Sequence, residues 1–340
     1  MTARLAQSLC ALCFGLTAIG LVFLAVNGAS QQNTLGSPAF DVVFSVVYLA
    51  FPVVGALIAS RHPRNAIGWL FLAAGLGRAV DYAFLGYATQ ALVADPGSLP
   101  GGALAGLIAD LTWVPSLLGG TALLFLLFPS GRLESRRWRP VVGLVAVVTF
   151  AYVAGTLLKA GPLYYFPVVD NPLGVEGGRS VTGSIVDASG FLAIALILVA
   201  VASLVARFRR ARGLERQQFK WLASAAALLF LSTPVQPLLG GVEFAGLAVG
   251  DALFGVLISL VPIAVGIAIL RHRLYDIDLV IRRTLVYAAL TATLGAVYFG
   301  LVVLLGLAAG DSGVAVAGSD LLPLCILIFS FSVQSKHVRC

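Results

Sequence analysis

The sequence predicts an all-α, polytopic integral membrane protein of about ten transmembrane helices, with both termini in the cytoplasm. Composition, the spacing of its apolar runs and the placement of its arginines carry that expectation. Hydrophobic residues make up 59% of the 340-residue chain and charged residues 11%, and the mean hydropathy is +0.99. A water-soluble domain carries about 25% charge and is roughly half apolar, and its surface leaves no room to hide more. Hydrocarbon is the solvent that fits this composition.

A spanning helix needs roughly 20 mostly apolar residues to cross about 30 Å. Runs of that kind cover residues 9–27, 42–60, 67–91, 104–128, 141–160, 185–206, 221–239, 247–270, 285–308 and 321–334, the last being the shortest. The first, with Arg4 ahead of it, is longer than the apolar stretch of a secretory signal and more runs follow, so it is expected to stay as a helix. The seventh carries Pro234 and Pro237, each lacking a backbone donor, and a kink or break is expected there.

The basic residues set the orientation. With the N-terminus inside, all but three of the 22 Lys and Arg residues fall in cytoplasmic links. The exceptions are Arg78, within the third run, and Lys159 and Arg179 on the outer side. This distribution places the net charge of +7 on the inner face of a membrane, so nucleic acid is not an expected partner. Of the four cysteines, Cys10 and Cys13 lie in the first run and read as packing residues rather than a redox or metal pair.

No link between runs is long enough to fold as a soluble domain. The three histidines, His62, His272 and His337, fall in short juxtamembrane links, and no Walker-type loop, HExxH helix or GxSxG elbow is present. Catalysis, a metal and a cofactor are therefore not expected of this chain.

Charges placed in lipid are the most informative residues. Arg78 and Asp81 lie about half-way through the third run, three residues apart and on one helix face. Asp110 in the fourth run falls at a similar depth, and Asp251 in the eighth somewhat shallower. A mid-membrane charge costs at least about 2.5–3.5 kcal/mol on insertion scales, so such groups face the bundle interior. Three readings fit: an outward-opening polar pocket for a small ligand or ion, built from Arg78, Asp81, Asp110 and Asp251 with Tyr82 and Trp113 nearby; a structural ion pair between Arg78 and one acid; or a proton relay. The longest outer link, residues 161–184, holds Tyr164, Tyr165 and Phe166, which read either as interfacial aromatics or as a ligand-contacting lid.

On the cytoplasmic side, Leu274, Ile277, Ile281 and Leu285 recur at helical spacing, and Asp278 and Arg282 form an i,i+4 pair. Residues 271–287, with Arg271, Arg273, Tyr275, Asp276 and Arg283, are expected to form a short amphipathic helix on the inner leaflet. It would anchor to anionic lipid or couple helix movement to a partner. The 207–220 link, with six basic residues, invites the same two readings.

Four stretches carry a resemblance: 61–69 (RHPRNAIGW), 127–140 (LFPSGRLESRRWRP), 212–221 (RGLERQQFKW) and 271–287 (RHRLYDIDLVIRRTLVY). Together, and in this order, they resemble the multi-helix membrane module at the N-terminus of actinobacterial sensor histidine kinases and their kinase-less relatives. The resemblance covers roughly residues 40–310. It implies a sensor in the cell membrane that detects a membrane-associated or extracellular stimulus. With no kinase of its own, the chain would pass the signal to a protein partner in trans. After Gly318 the chain loses its Ala-rich character, so residues 1–318 are expected to form the module and 319–340 a divergent last span and tail, by frameshift or truncation. The rival readings are a small-solute or ion transporter, which would show inverted repeats with paired broken helices, and a non-catalytic remnant of a longer membrane protein.

Overall fold

The apolar runs fold as helices. A computed structural model of the chain describes residues 2–27, 38–239, 243–244 and 247–270, all within one compact unit, Met1–Arg273. Its helices are α1 (Thr2–Asn27), α2 (Pro38–Tyr48), α3 (Ala50–Arg61), α4 (Ala66–Thr89), α5 (Gly102–Leu117), α6 (Leu124–Leu127), α7 (Arg139–Leu158), α8 (Arg179–Arg210), α9 (Gly213–Leu239) and α10 (Val249–Leu270). Two-residue strands, β1 (Glu243–Phe244) and β2 (Leu247–Ala248), pair antiparallel between α9 and α10. The first eight expected runs fall on these helices to within a few residues at their ends, the second on α2 and α3, the fourth on α5 and α6, and the eighth beginning on β2. The expected ninth and tenth runs, residues 271–287 and the boundary at 318 lie outside the described residues.

Six helical segments among the described residues are long and apolar enough to cross a membrane: Thr2–Asn27, Asp41–Arg61, Gly102–Leu127, Arg136–Leu158, Glu176–Arg210 and Leu253–Leu270. Helix α4 has comparable length, but Arg78 and Asp81 lower its apolar average. Helix α9 opens on Glu215, Arg216 and Lys220, and its uncharged remainder from Trp221 to Leu239 is the expected seventh run. The outward faces are apolar, with Phe150 74% and Phe191 75% exposed. Large apolar surfaces of that kind suit lipid rather than water. This is the architecture of a helical membrane protein.

Helix α4 is the axis of packing and touches α1, α3 and α5. Its N-terminus is capped by Asn65, whose Oδ1 accepts the Ile67 N–H at 3.0 Å. Small residues let the neighbouring backbones close on it. A Cβ on Gly55 of α3 would lie 2.8 Å from the Gly68 carbonyl oxygen of α4, and one on Gly68 would lie 2.6 Å from the Ala59 nitrogen. Gly20 of α1 sits flat against the Tyr82 ring of α4, where any side chain would collide.

Proline interrupts the helical ladder at a place the sequence did not flag. Pro115 lies inside α5, and the following turn, Leu118–Leu123, is π-helical before α6 resumes. Pro115 has no N–H to give the Leu111 carbonyl one turn earlier, and the π-helical turn follows three residues later. Of the kink or break expected in the seventh run, there is no break: α9 continues as helix through Pro234 and Pro237 to Leu239. Both prolines sit in its last two turns, where few downstream bonds remain to be lost.

A chain of contacts gathers the basic helix ends at one pole. Ala6 of α1 packs with Ala59 of α3, and Trp69 of α4 packs against the same cluster. The turn at Gly131, with φ of +72°, closes on the Asn65 side chain. Phe128 stacks edge-on against Phe219 of α9, with ring centroids 5.5 Å apart. Gln218 Nε2 donates to the Ala268 carbonyl of α10 at 2.8 Å. Arg4, Arg61, Arg64, the Arg132–Arg139 group and the Arg207–Lys220 group therefore share one pole. At the opposite pole, Asn27 Nδ2 donates to the Gly86 carbonyl at 3.0 Å, and Arg179 lies against Gly161.

Candidate functional site

The third-run charges do meet. Arg78 Nη1 forms a salt bridge with Asp81 Oδ2 one turn along α4. The guanidinium also lies 5.1 Å from the Phe44 ring centroid of α2 and 5.5 Å from that of Tyr82. Ring faces are negative, so both contacts favour the cation in a place where water is scarce. Asp81 is buried. Among the described residues the second carboxylate oxygen, Oδ1, and Arg78 Nε have no hydrogen-bond partner, an arrangement that normally costs about 1–3 kcal/mol per group. A cleft enclosing about 10 Å³ opens beside the pair, lined by Thr17, Ser45, Tyr48, Pro52, Arg78 and Tyr82.

Asp110 is engaged elsewhere. Its Oδ2 accepts the Tyr164 N–H at 2.8 Å, and the Tyr165 N–H lies beside the same carboxylate. Its backbone carbonyl accepts the Tyr152 hydroxyl of α7 at 3.0 Å. Of the four residues the sequence grouped into one pocket, Arg78 and Asp81 pair directly while Asp110 fastens the α7–α8 loop. Asp251 lies on α10, and its side chain, like that of Trp113, falls outside the described residues.

The α7–α8 loop is built to insert. Asn171 holds its base: Nδ2 donates to the carbonyls of Thr156, Leu157 and Lys159 at 2.9–3.1 Å, closing the C-terminus of α7. The tip turns inward, and Leu163, Tyr165 and Phe166 pack with Ala88, Ala105, Leu107 and Ala109. The sequence read Tyr164, Tyr165 and Phe166 alike, yet Tyr164 is 72% exposed and Phe166 only 1%. Burial, reinforced by Asp81, pushes the Tyr165 phenol well above its usual range. Tyr165 is thus near enough to feel the Arg78–Asp81 pair, and the loop lies at the pole opposite the clustered basic residues.

A second constellation was missed by the sequence. Arg207, expected in a basic link that either anchors to lipid or couples to a partner, is buried and donates to the backbone carbonyls of Phe125 and Phe128 at the end of α6. Its guanidinium lies 3.9 Å from Glu134 and 5.7 Å from the Phe219 ring centroid. Those carbonyls end a helix and have no intrahelical partner, so a cation there satisfies both bonding and dipole. The signal was periodicity: Ser189, Ala193, Leu196, Ala200, Ser203 and Leu204 form the buried stripe of α8, and Arg207 continues it. Asp41, in the first turn of α2, was also missed; it is buried and lines a cleft with Gly20, Tyr82 and Thr89.

Three of the four resemblance-bearing stretches meet at the basic pole, through Asn65 on Gly131 and Phe128 on Phe219. The fourth, 271–287, lies outside the described residues. Among the described residues no cluster of His, Cys, Asp or Glu is arranged to hold a metal ion. No family model, no curated protein and no solved structure matches this chain.

Proposed function

We propose that this chain is a multi-pass sensing module of the cell membrane that hands its signal to a protein partner, as the input part of a two-component system does. In this reading ten helices span the membrane, the basic pole faces the cytoplasm and its anionic lipid, and residues 271–287 provide the coupling surface. One observation carries it. The helical run from Gly102 to Leu127 bears Asp110, which holds the outer loop, and ends at the Phe125 and Phe128 carbonyls, which Arg207 holds. Between them lie Pro115 and a π-helical turn, a feature that recurs at functional sites and hinges. A displacement of the loop therefore has a mechanical route to the basic pole.

The test is genetic. Deleting the gene in its native host is expected to shift a discrete set of transcripts. Wild type restores them, whereas Arg207→Gln does not at equal membrane abundance. An unaltered transcript profile on deletion, together with solute uptake by proteoliposomes of the purified chain, would replace signalling by transport.

A further inference from the structure

We propose that Asp110 is the proton-binding residue of this site, and that protonating it from the outer side releases the α7–α8 loop. The inference rests on the sensing reading and names its stimulus as external acid.

Size is the first argument. The two clefts beside Arg78 and Tyr82 each enclose only about 10 Å³, room for a single water and far below the roughly 300–1,000 Å³ of pockets that take organic ligands. A proton needs no such volume.

Geometry is the second. The buried Asp110 carboxylate accepts the Tyr164 N–H, so an ionised acid holds a neutral loop donor in a charge-assisted bond. A proton taken from the outer water onto that carboxylate removes the charge, so the Tyr164 N–H bond falls from a charge-assisted to a neutral one and water competes for the N–H. Tyr164 is already exposed, so water is at hand.

The surroundings leave the change to Asp110. Facing it from α7 are the Tyr152 hydroxyl, on its backbone carbonyl, and Lys159, a cation that favours the carboxylate. From the loop come Tyr164 and Tyr165, and from α4 comes Asp81. Asp81 is tied to Arg78, and tyrosines stay neutral through the physiological range.

Release also has a consequence. Leu163, Tyr165 and Phe166 leave the cluster formed with Ala88, Ala105, Leu107 and Ala109, and α5 loses its outer fastening above the π-helical turn.

Hydrogen exchange of the full chain in lipid nanodiscs tests this at about pH 7.5 and about pH 5. Corrected for intrinsic rates, wild-type amides in 161–168 should exchange about tenfold faster at the acid value, the scale of one lost charge-assisted bond. Asp110→Asn should exchange alike at both values. Lys159→Gln, which removes the facing cation, should move the wild-type midpoint to higher pH. Equal corrected exchange in the wild type overturns the proposal with no variant needed, as does a full acid response in Asp110→Asn or a downward midpoint shift in Lys159→Gln. The exchange readout is independent of transcription. A pH-responsive loop with a silent transcript profile would remove signalling and keep the latch, and a pH-insensitive loop with a responding profile would do the reverse.

Discussion

The Arg207 guanidinium donates to the backbone carbonyl of Phe128, a residue 79 positions earlier in the chain. The same side chain reaches the Phe125 carbonyl, so the end of α8 closes the end of α6. Replacing it strands two buried carbonyls. Arg207→Met is expected to destabilise the chain by about 2–3 kcal/mol, read as a lower unfolding temperature in detergent. Arg207→Lys should recover only part, because an ammonium lacks the planar fork. Wild-type stability in Arg207→Met would show that the cap contributes nothing.

The Arg78–Asp81 pair makes a different prediction. Removing one partner leaves the other charge buried, so Asp81→Leu or Arg78→Met alone should cost about 3–5 kcal/mol. The double variant should cost less than either, since no uncompensated charge remains. A double-mutant cycle in unfolding experiments checks this, and purely additive losses would mean that the two groups are not coupled.

Helix contacts at α4 are sensitive to a few carbons. Gly55→Leu should destabilise by at least about 1–3 kcal/mol, because the Gly68 backbone has nowhere to move. Gly143 of α7 has no neighbour among the described residues within 4 Å of a built Cβ, so Gly143→Ala should be neutral or stabilising by up to about 1 kcal/mol. Reversal of that order in thermal unfolding would refute the packing described here.

Tyr165 gives a pH window. Burial raises its phenol above the ordinary value of about 10, so the folded state keeps a proton that the unfolded state has lost. Its contribution is complete below about pH 10 and declines as pH rises through the folded value. Tyr165→Phe should flatten this alkaline loss, which equilibrium unfolding between neutral and alkaline pH measures. An unchanged slope would place the titration elsewhere.

Topology is open to direct measurement. Reporters fused at Arg137, Arg212 and Arg282 should read as cytoplasmic, and one at Gly177 as external. A reporter at Asp311 should read as external if the ninth run spans. Outside readings at the first three sites would invert the assigned orientation.

The sequence made some features legible and concealed others. The runs at 9–27, 67–91 and 141–160 fall on α1, α4 and α7 because membrane-length hydropathy and helical hydrogen bonding impose the same segment. Arg78 and Asp81 were legible as partners because three residues along a helix bring side chains together whatever surrounds them. Asp110 was legible as a buried acid, but its partner was not. The Tyr164 N–H is 54 positions away in the chain, and no local period encodes such a distance. Arg207 was misread because its neighbours Arg209 and Arg210 are exposed and charge alone does not distinguish the three.

The amino-acid sequence by itself determined that the chain is a stack of apolar helices with its arginines at alternate ends, since solvent preference and backbone bonding act on each segment separately. The tertiary structure alone decided which of those charges are satisfied by one another, by aromatic faces or by backbone groups of distant segments. Those partners are chosen by how the helices close on α4, and that closure depends on small residues such as Gly55 and Gly68 meeting across space rather than along the chain.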